Sequence, residues 1–311
     1  MTPVRRALLL RLGVAATPAL WGLESGAQTD PGLITKPIPS SGERIPVVGL
    51  GSWITFNVGA DRVAQDACAD VMQAFFAAGG RMIDSSPMYA SSQATIGHAL
   101  ARLGAARSPV FAADKVWVSS SRGDARGPEQ IERSRRLWGV ARFDLLQVHN
   151  LLDWEVHLPT LLALKAAARL RYVGITTSEG RRQRDIEALL RSQPLDFVQL
   201  SYNPLDREAE QRLLPLAAER GIGVIANRPF REGALLEALR RHPLPAWATS
   251  ELGCDGWAQF VLKFIVSHPA VTCAIPATSS VAHVRQNLGA ARGAMPDAAL
   301  RQRMAAHVAA L

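Results

Sequence analysis

An α/β fold of the (β/α)8 TIM-barrel type, preceded by an N-terminal β-hairpin, is predicted by three features of the sequence. Eight short apolar runs recur along the chain, helix-patterned segments lie between most of them, and no linker or composition shift marks a second domain. Strands that alternate with helices pack as parallel β/α units, and eight such units close a sheet on itself. A chain of 311 residues suits one such domain plus a short leader, since these barrels run to about 250 residues as a single unit. Hydrophobic residues make up 48% and charged residues 20%, which excludes the disordered and fibrous classes.

Residues 1–27 read as an export signal and 28–311 as the barrel. Arg5-Arg6 precede an apolar stretch interrupted by Arg11, and Ser25-Gly26-Ala27 supplies the small residues that a signal peptidase needs. The stretch is too short and too interrupted to span a membrane. Paired arginines before a weakly apolar region resemble a twin-arginine signal, which implies an encounter with the export machinery and a periplasmic or secreted mature protein. The general secretory route, or an unprocessed start that leaves the protein in the cytoplasm, are the alternatives.

The hairpin is expected where two apolar pieces flank the turn cluster Pro39-Ser40-Ser41-Gly42-Glu43. Strands are expected at 47–50, 81–84, 110–113, 143–148, 172–175, 197–200, 223–226 and 272–275. Helix signals are equally regular. The helix expected over 60–79 stops at the pair Gly79-Gly80, Pro128 sits in the first turn of another helix, and 297–310 form the last. Residues 251–268 carry Trp257, Phe260, Val261 and Phe264, spaced for one buried face. The proline- and alanine-rich stretch 228–252 is expected to be a loop over the site, and the short tail beyond 310 predicts an open pocket.

The formal charge is +8, of which the leader supplies +2, and the remaining basic residues are interspersed with acids along helical stretches. That pattern favours a solvated face over a nucleic-acid patch. Of 35 basic residues only Lys36, Lys115, Lys165 and Lys263 are lysines. A chain that writes its positive charge as arginine has therefore kept, at Lys115, a compact ammonium whose pKa responds to its surroundings. Cys68, Cys254 and Cys273 form no Cys-x-x-Cys and have no histidine cluster nearby, so neither a disulfide framework nor a metal site is indicated.

The strand ends gather the candidate chemistry. The second strand ends at Asp84 with Tyr89 five residues on, the third runs into Lys115, and the fourth ends at His149. Each has an ordinary reading alone: a turn former, a packing ring, a solvated strand end, a satisfied barrel histidine. Together they lie at the C-terminal face of a barrel, where such folds keep their active sites.

At these residues the chain resembles the aldo-keto reductase family. The resemblance covers nearly all of the mature sequence and rests on Gly49-Leu50-Gly51-Ser52-Trp53, Met82-Ile83-Asp84 through Tyr89, Asp114-Lys115-Val116-Trp117, Asp144 through His149, Gly174-Ile175-Thr176-Thr177, Val198 through Asn203, and Ala274-Ile275-Pro276 through Asn287. It implies a catalytic tetrad of Asp84, Tyr89, Lys115 and His149 and the NADP(H)-dependent reduction of an aldehyde or ketone. Tyr89 would donate the proton, Lys115 would lower its pKa toward working pH, Asp84 would hold Lys115, and His149 would orient the carbonyl.

The resemblance also implies nicotinamide contacts from Ser52, Thr176, Thr177, Gln199 and Asn227, pyrophosphate contact from Arg228, and adenosine-phosphate contacts from Thr278, Ser279, Ser280, His283, Gln286 and Asn287. Trp53, Met88, Trp117 and Asn150 would line the substrate pocket. Thr176-Thr177 replaces the family's frequent Ser-Asn, Asn227 stands where an aromatic ring often stacks, and His283 replaces the usual 2′-phosphate arginine, so NAD(H) stays open beside NADP(H). Asn227 and Thr177 also keep open a second class of function, a cofactor-binding sensor or interaction module with little turnover. A barrel hydrolase is disfavoured, because neither paired carboxylates nor a nucleophile-elbow motif occurs.

Overall fold

At residues 38–42 the chain reverses direction: Gly42 takes a φ of +76°, which favours glycine, and its amide donates to Ile38 O at 2.8 Å. The computed structural model describes residues 32–104, 109–119 and 126–311; the expected export signal lies outside the described residues. The reversal joins strand β1 (Thr35–Pro37) to β2 (Arg44–Pro46) in an antiparallel pair, the expected hairpin.

Eight parallel strands follow: β3 (Leu50–Gly51), β4 (Met82–Asp84), β5 (Phe111–Val116), β6 (Leu145–Val148), β7 (Tyr172–Thr176), β8 (Phe197–Ser201), β9 (Gly223–Asn227) and β10 (Val271–Ala274). They hydrogen-bond in chain order from β3 to β10. The ring then closes: Gly49 N donates to Ala274 O at 2.8 Å, Ala274 N to Val47 O at 2.9 Å, and Gly51 N to Pro276 O at 3.0 Å. These strands read as near-continuous apolar runs because both of their faces are covered, the outer one by helices.

Between and around the strands run α1 (Arg62–Ala77), α2 (Ser92–Leu103), α3 (Arg126–Trp138), α4 (Trp154–Ala166), α5 (Gln183–Ser192), α6 (Leu213–Glu219), α7 (Ala234–Leu239), α8 (Ala246–Leu252), α9 (Trp257–Val266), α10 (Val281–Gly289) and α11 (Ala298–Ala309). Helix α1 shows how local sequence sets its start. Asp61 accepts from Val63 N at 2.9 Å and Ala64 N at 3.2 Å, satisfying two amides that lack an intrahelical partner. Among the described residues no helix is long and apolar enough to cross a membrane.

Two expectations are corrected. Residues 251–268 are not one helix: α8 ends at Leu252, Gly253 takes a φ of +63°, and α9 begins only at Trp257. All ten residues of α9 are buried rather than one face, because it packs against β10, α7, α10 and α11 together. Lys263 tolerates that setting by donating to Arg292 O and Ala294 O, both at 2.7 Å. The stretch 228–252, expected as a loop, contains the short helices α7 and α8.

The core has two compartments. One lies between the sheet and the helices. The other fills the N-terminal end of the barrel, where Ile38 and Ile45 of the hairpin meet Met82, Phe111, Leu145, Tyr172 and Phe197, each the first residue of its strand. The hairpin thus seals one mouth and leaves chemistry to the other. Outside the barrel, α2 and α3 approach so closely at Gly97 that a Cβ there would stand 1.9 Å from Leu137 O. Gly97→Ala is expected to cost about 1–3 kcal/mol by overpacking, read as a lower urea midpoint; an unchanged midpoint would mean that the helices do not meet there.

Candidate active site

Alternation along β5 turns Asp114 toward the helices and Lys115 into the barrel, and the register sets Lys115 beside Gln147 of β6. Lys115 is fully buried. Its ammonium donates to Asp84 Oδ2, at the end of β4, and to Ser85 O at 2.8 Å. The other carboxylate oxygen of Asp84 accepts from Gln199 Nε2 at 2.9 Å and Gln147 Nε2 at 3.4 Å. Gly174 makes room for this arrangement, since a Cβ there would lie 3.1 Å from Gln147 Cγ and 2.8 Å from Phe197 O. Burial works against the Lys115 ammonium, but attraction to Asp84, Tyr89 and Asp114 together with the hydrogen bond to Asp84 outweighs it and holds the lysine above its ordinary pKa.

Tyr89 closes a 3₁₀ turn, Pro87–Tyr89, capped by Ser86, whose Oγ accepts from Met88 N at 3.1 Å. The tyrosine ring is half-buried, with its centroid 4.9 Å from that of Trp53, 5.7 Å from that of His149 and 5.2 Å from Lys115 Nζ. Burial pushes the Tyr89 hydroxyl above its ordinary pKa, and the Lys115 ammonium pulls it back only in part. This differs from the expected net lowering, because withdrawal from water penalises the phenolate more than one ammonium, itself shared with Asp84, favours it. His149 follows the end of β6; its Nδ1 lies 2.7 Å from Ser86 Oγ. Burial and the nearby Lys115 push its pKa down to about 2, so the imidazole is neutral at any physiological pH.

Asp84, Tyr89 and His149 line a cleft of about 570 Å³, with Lys115 buried outside its lining and tied to it through Asp84. Ser52, Thr176, Gln199, Asn227, Arg228, Thr278, His283, Gln286 and Asn287 line it on the expected cofactor side, and Trp53, Met88 and Asn150 on the expected substrate side. Four of the expected cofactor and substrate residues do not line it. The Thr177 hydroxyl donates to Arg181 O at 2.8 Å, while its carbonyl accepts from Asn227 Nδ2 at 2.8 Å. Ser280 caps α10 through His283 N at 3.4 Å, and Ser279 is exposed beside it. Trp117 is 40% exposed, with its amide donating to Gln130 Oε1 at 2.7 Å.

Other lining residues carried no sequence signal. Glu179 reaches Arg228 at 3.0 Å, and Glu232 pairs with the same guanidinium. Ile54 is 61% exposed at a φ of +63°, a conformation costly for a β-branched side chain. Gln147, set beside Lys115 by the strand register, likewise carries no sequence signal for its tether to Asp84. At the α10 end, hydroxyl, amide and imidazole groups gather with the guanidiniums of Arg228 and Arg240 facing the same cleft. That donor set fits an elongated anionic ligand. Among the described residues no three His, Cys, Asp or Glu side chains are grouped to hold a metal ion.

The model of the aldo/keto reductase family matches residues 47–302. The chain belongs to that family. It is 26% identical over 258 residues to the methylglyoxal reductase YeaE of Escherichia coli (strain K12), covering 81% of this chain and 88% of that one. It is 27% identical over 235 residues to an NADH-specific methylglyoxal reductase of the same organism, covering 65% and 68%. Among solved structures, an aldo-keto reductase from Klebsiella pneumoniae in complex with NADPH superposes with a TM-score of 0.73 at 23% identity, over 89% of this chain and 95% of that one. At that identity the likeness shows the fold alone.

In this aldo/keto reductase one further acid lies beside the buried lysine. Asp114 accepts from Lys115 N and from Gln93 Nε2, both at 2.7 Å, and Gln93 also donates to Ser134 Oγ at 3.0 Å, which ties β5 to α2 and α3. Burial pushes its carboxyl up from 3.8 to about 7. Between those values the native state keeps a proton that the unfolded chain has released, so stability falls as pH rises through that window. Asp114→Asn is expected to weaken this fall by on the order of a few kcal/mol, measured as urea unfolding across a pH series. An identical pH profile for the variant would rule out this protonation.

Proposed function

We propose that the protein reduces an aldehyde or ketone to the alcohol, using NADP(H). The observation that carries the reading is the Tyr89 phenol poised between a buried, carboxylate-held Lys115 ammonium and a neutral His149 in a cleft that mixes apolar walls with hydroxyl, amide, imidazole and guanidinium groups. When bound, the dinucleotide supplies a hydride to the carbonyl carbon. Tyr89 gives its proton to the carbonyl oxygen, and Lys115 favours the phenolate left behind until solvent restores the proton. Because burial keeps the resting phenol neutral, Tyr89 holds its proton until negative charge develops on the substrate. Asp84 fixes Lys115 and keeps it charged, and His149 donates a hydrogen bond to the carbonyl oxygen and sets its position.

Ser52, Thr176, Gln199 and Asn227 would hold the nicotinamide end, with Thr177 acting through Asn227. Arg228 would hold the pyrophosphate after giving up a carboxylate partner, and Thr278, His283, Gln286 and Asn287 would receive the adenosine phosphate, with Ser279 and Ser280 at the same helix start. The donor set at His283 and the NADPH-bound Klebsiella relative favour NADP(H); the NADH-specific E. coli relative makes NAD(H) the competitor. Trp53, Met88 and Asn150 frame a substrate end, with Trp117 outside the cleft lining, that suits small neutral carbonyl compounds such as those the E. coli relatives are named for. We propose also that residues 1–27 direct export, so that the folded reductase works in the periplasm or outside the cell; fractionation of cells making the full chain tests this.

The second reading, a cofactor-binding sensor, draws on Asn227, whose amide is engaged by Thr177 O at 2.8 Å and by Ser201 Oγ at 2.7 Å. Nicotinamide absorbance against a panel of aldehydes and ketones separates the two. Turnover is expected with the native chain and a loss of about 10²–10⁴-fold in Tyr89→Phe, with cofactor affinity retained. Tight dinucleotide binding with no turnover of any carbonyl would favour the sensor.

A further inference from the structure

A neutral imidazole carries one proton on one of two nitrogens, and only a proton on the nitrogen that faces the carbonyl makes His149 a donor. Which nitrogen carries it depends on what the other nitrogen meets. Nδ1 of His149 meets Ser86 Oγ at 2.7 Å, in a fully buried pair of atoms, while the ring lines the cleft.

The direction of that hydrogen bond follows from counting donors. Ser86 Oγ has two partners among the described residues, His149 Nδ1 and the amide of Met88 at 3.1 Å, and an amide can only donate. If Nδ1 also donated, the buried hydroxyl would receive two protons and have no acceptor for its own, a loss comparable to an unmade hydrogen bond. If the hydroxyl donates to Nδ1 and accepts from Met88 N, every group is satisfied. The imidazole proton then sits on Nε2.

We propose that Ser86 is a positioning residue that locks His149 in its Nε2–H tautomer and thereby presents a hydrogen-bond donor to the substrate carbonyl. The same oxygen caps the 3₁₀ turn that carries Tyr89, so one hydroxyl sets both the proton donor and the orienting donor. The neutral state imposed by burial and by Lys115 is what makes the tautomer matter, since a doubly protonated ring would donate from either nitrogen.

The inference rests on the reductase reading for its purpose but not for its test. Protein labelled with 15N-histidine, with the His149 signals identified by their absence in His149→Gln, reports directly which ring nitrogen is protonated. Near neutral pH the native chain is expected to show unprotonated Nδ1 and protonated Nε2. Ser86→Ala is expected to shift His149 toward a mixture of tautomers and to lower kcat by about tenfold or more, with dinucleotide affinity unchanged, and Ser86→Thr is expected to restore both. A proton on Nδ1 in the native chain, or a Ser86→Ala variant that keeps both the Nε2–H tautomer and kcat, overturns the proposal. If Ser86→Ala does not fold, the native spectrum alone decides. Absence of turnover in the native chain would sink the reductase reading and leave the tautomer question to the same spectrum.

Discussion

The buried pair between Asp84 and Lys115 is the constraint around which the upper half of the barrel is arranged. A charge sealed from water is costly unless it is matched, and losing either partner would strand the other at a cost of about 3–5 kcal/mol. The surroundings answer that demand one hydrogen bond at a time. Gln199 and Gln147 turn their amides toward the second oxygen of Asp84, and Ser85 offers its carbonyl to the ammonium. The barrel interior therefore has a gradient, aromatic and dry at Phe111, Tyr172 and Phe197, and polar one layer higher, where the buried Oε1 of Gln147 is left without a partner among the described residues. Tyr89 and His149 sit at the top of that gradient, where burial is deep enough to keep both neutral while the cleft still reaches them.

Much of this was legible in the residues. Each of the eight strands overlaps its expected span, because β-branched and aromatic runs between turn signals have few other ways to fold. The four polar types at successive strand ends were legible for the same reason, since a strand's end fixes where its last side chain emerges. Legibility stopped where the outcome depended on three-dimensional burial. Helix α9 is enclosed on all sides, so its sequence lacks the polar face that marks helix limits, and only Gly253 reveals the break before it. Helices α7 and α8 are too short for a periodic pattern to show.

The site was blurred in a similar way. Thr177 and Ser280 have the right chemistry in the expected stretches, yet their side chains are committed to Arg181 O and to the start of α10. No residue pattern states where a loop hydroxyl turns. The sign of the Tyr89 shift likewise depends on how much water reaches its ring, which a list of charged neighbours does not contain. Several loop residues around the cleft also adopt left-handed conformations without being glycine, among them Ile54, Asn150 and Arg228. Such strain is held in place by surrounding structure and gathers where geometry serves a ligand.

The bonds that close the ring carry a consequence for how the molecule comes into being. They join residues 47–51 to residues 274–277, so the first barrel strand has a free edge until the last one has been synthesised. During that interval the growing sheet exposes two unpaired borders, each able to recruit a foreign strand. Pairings between the two ends of a chain also form slowly, because so much loop entropy is lost at once.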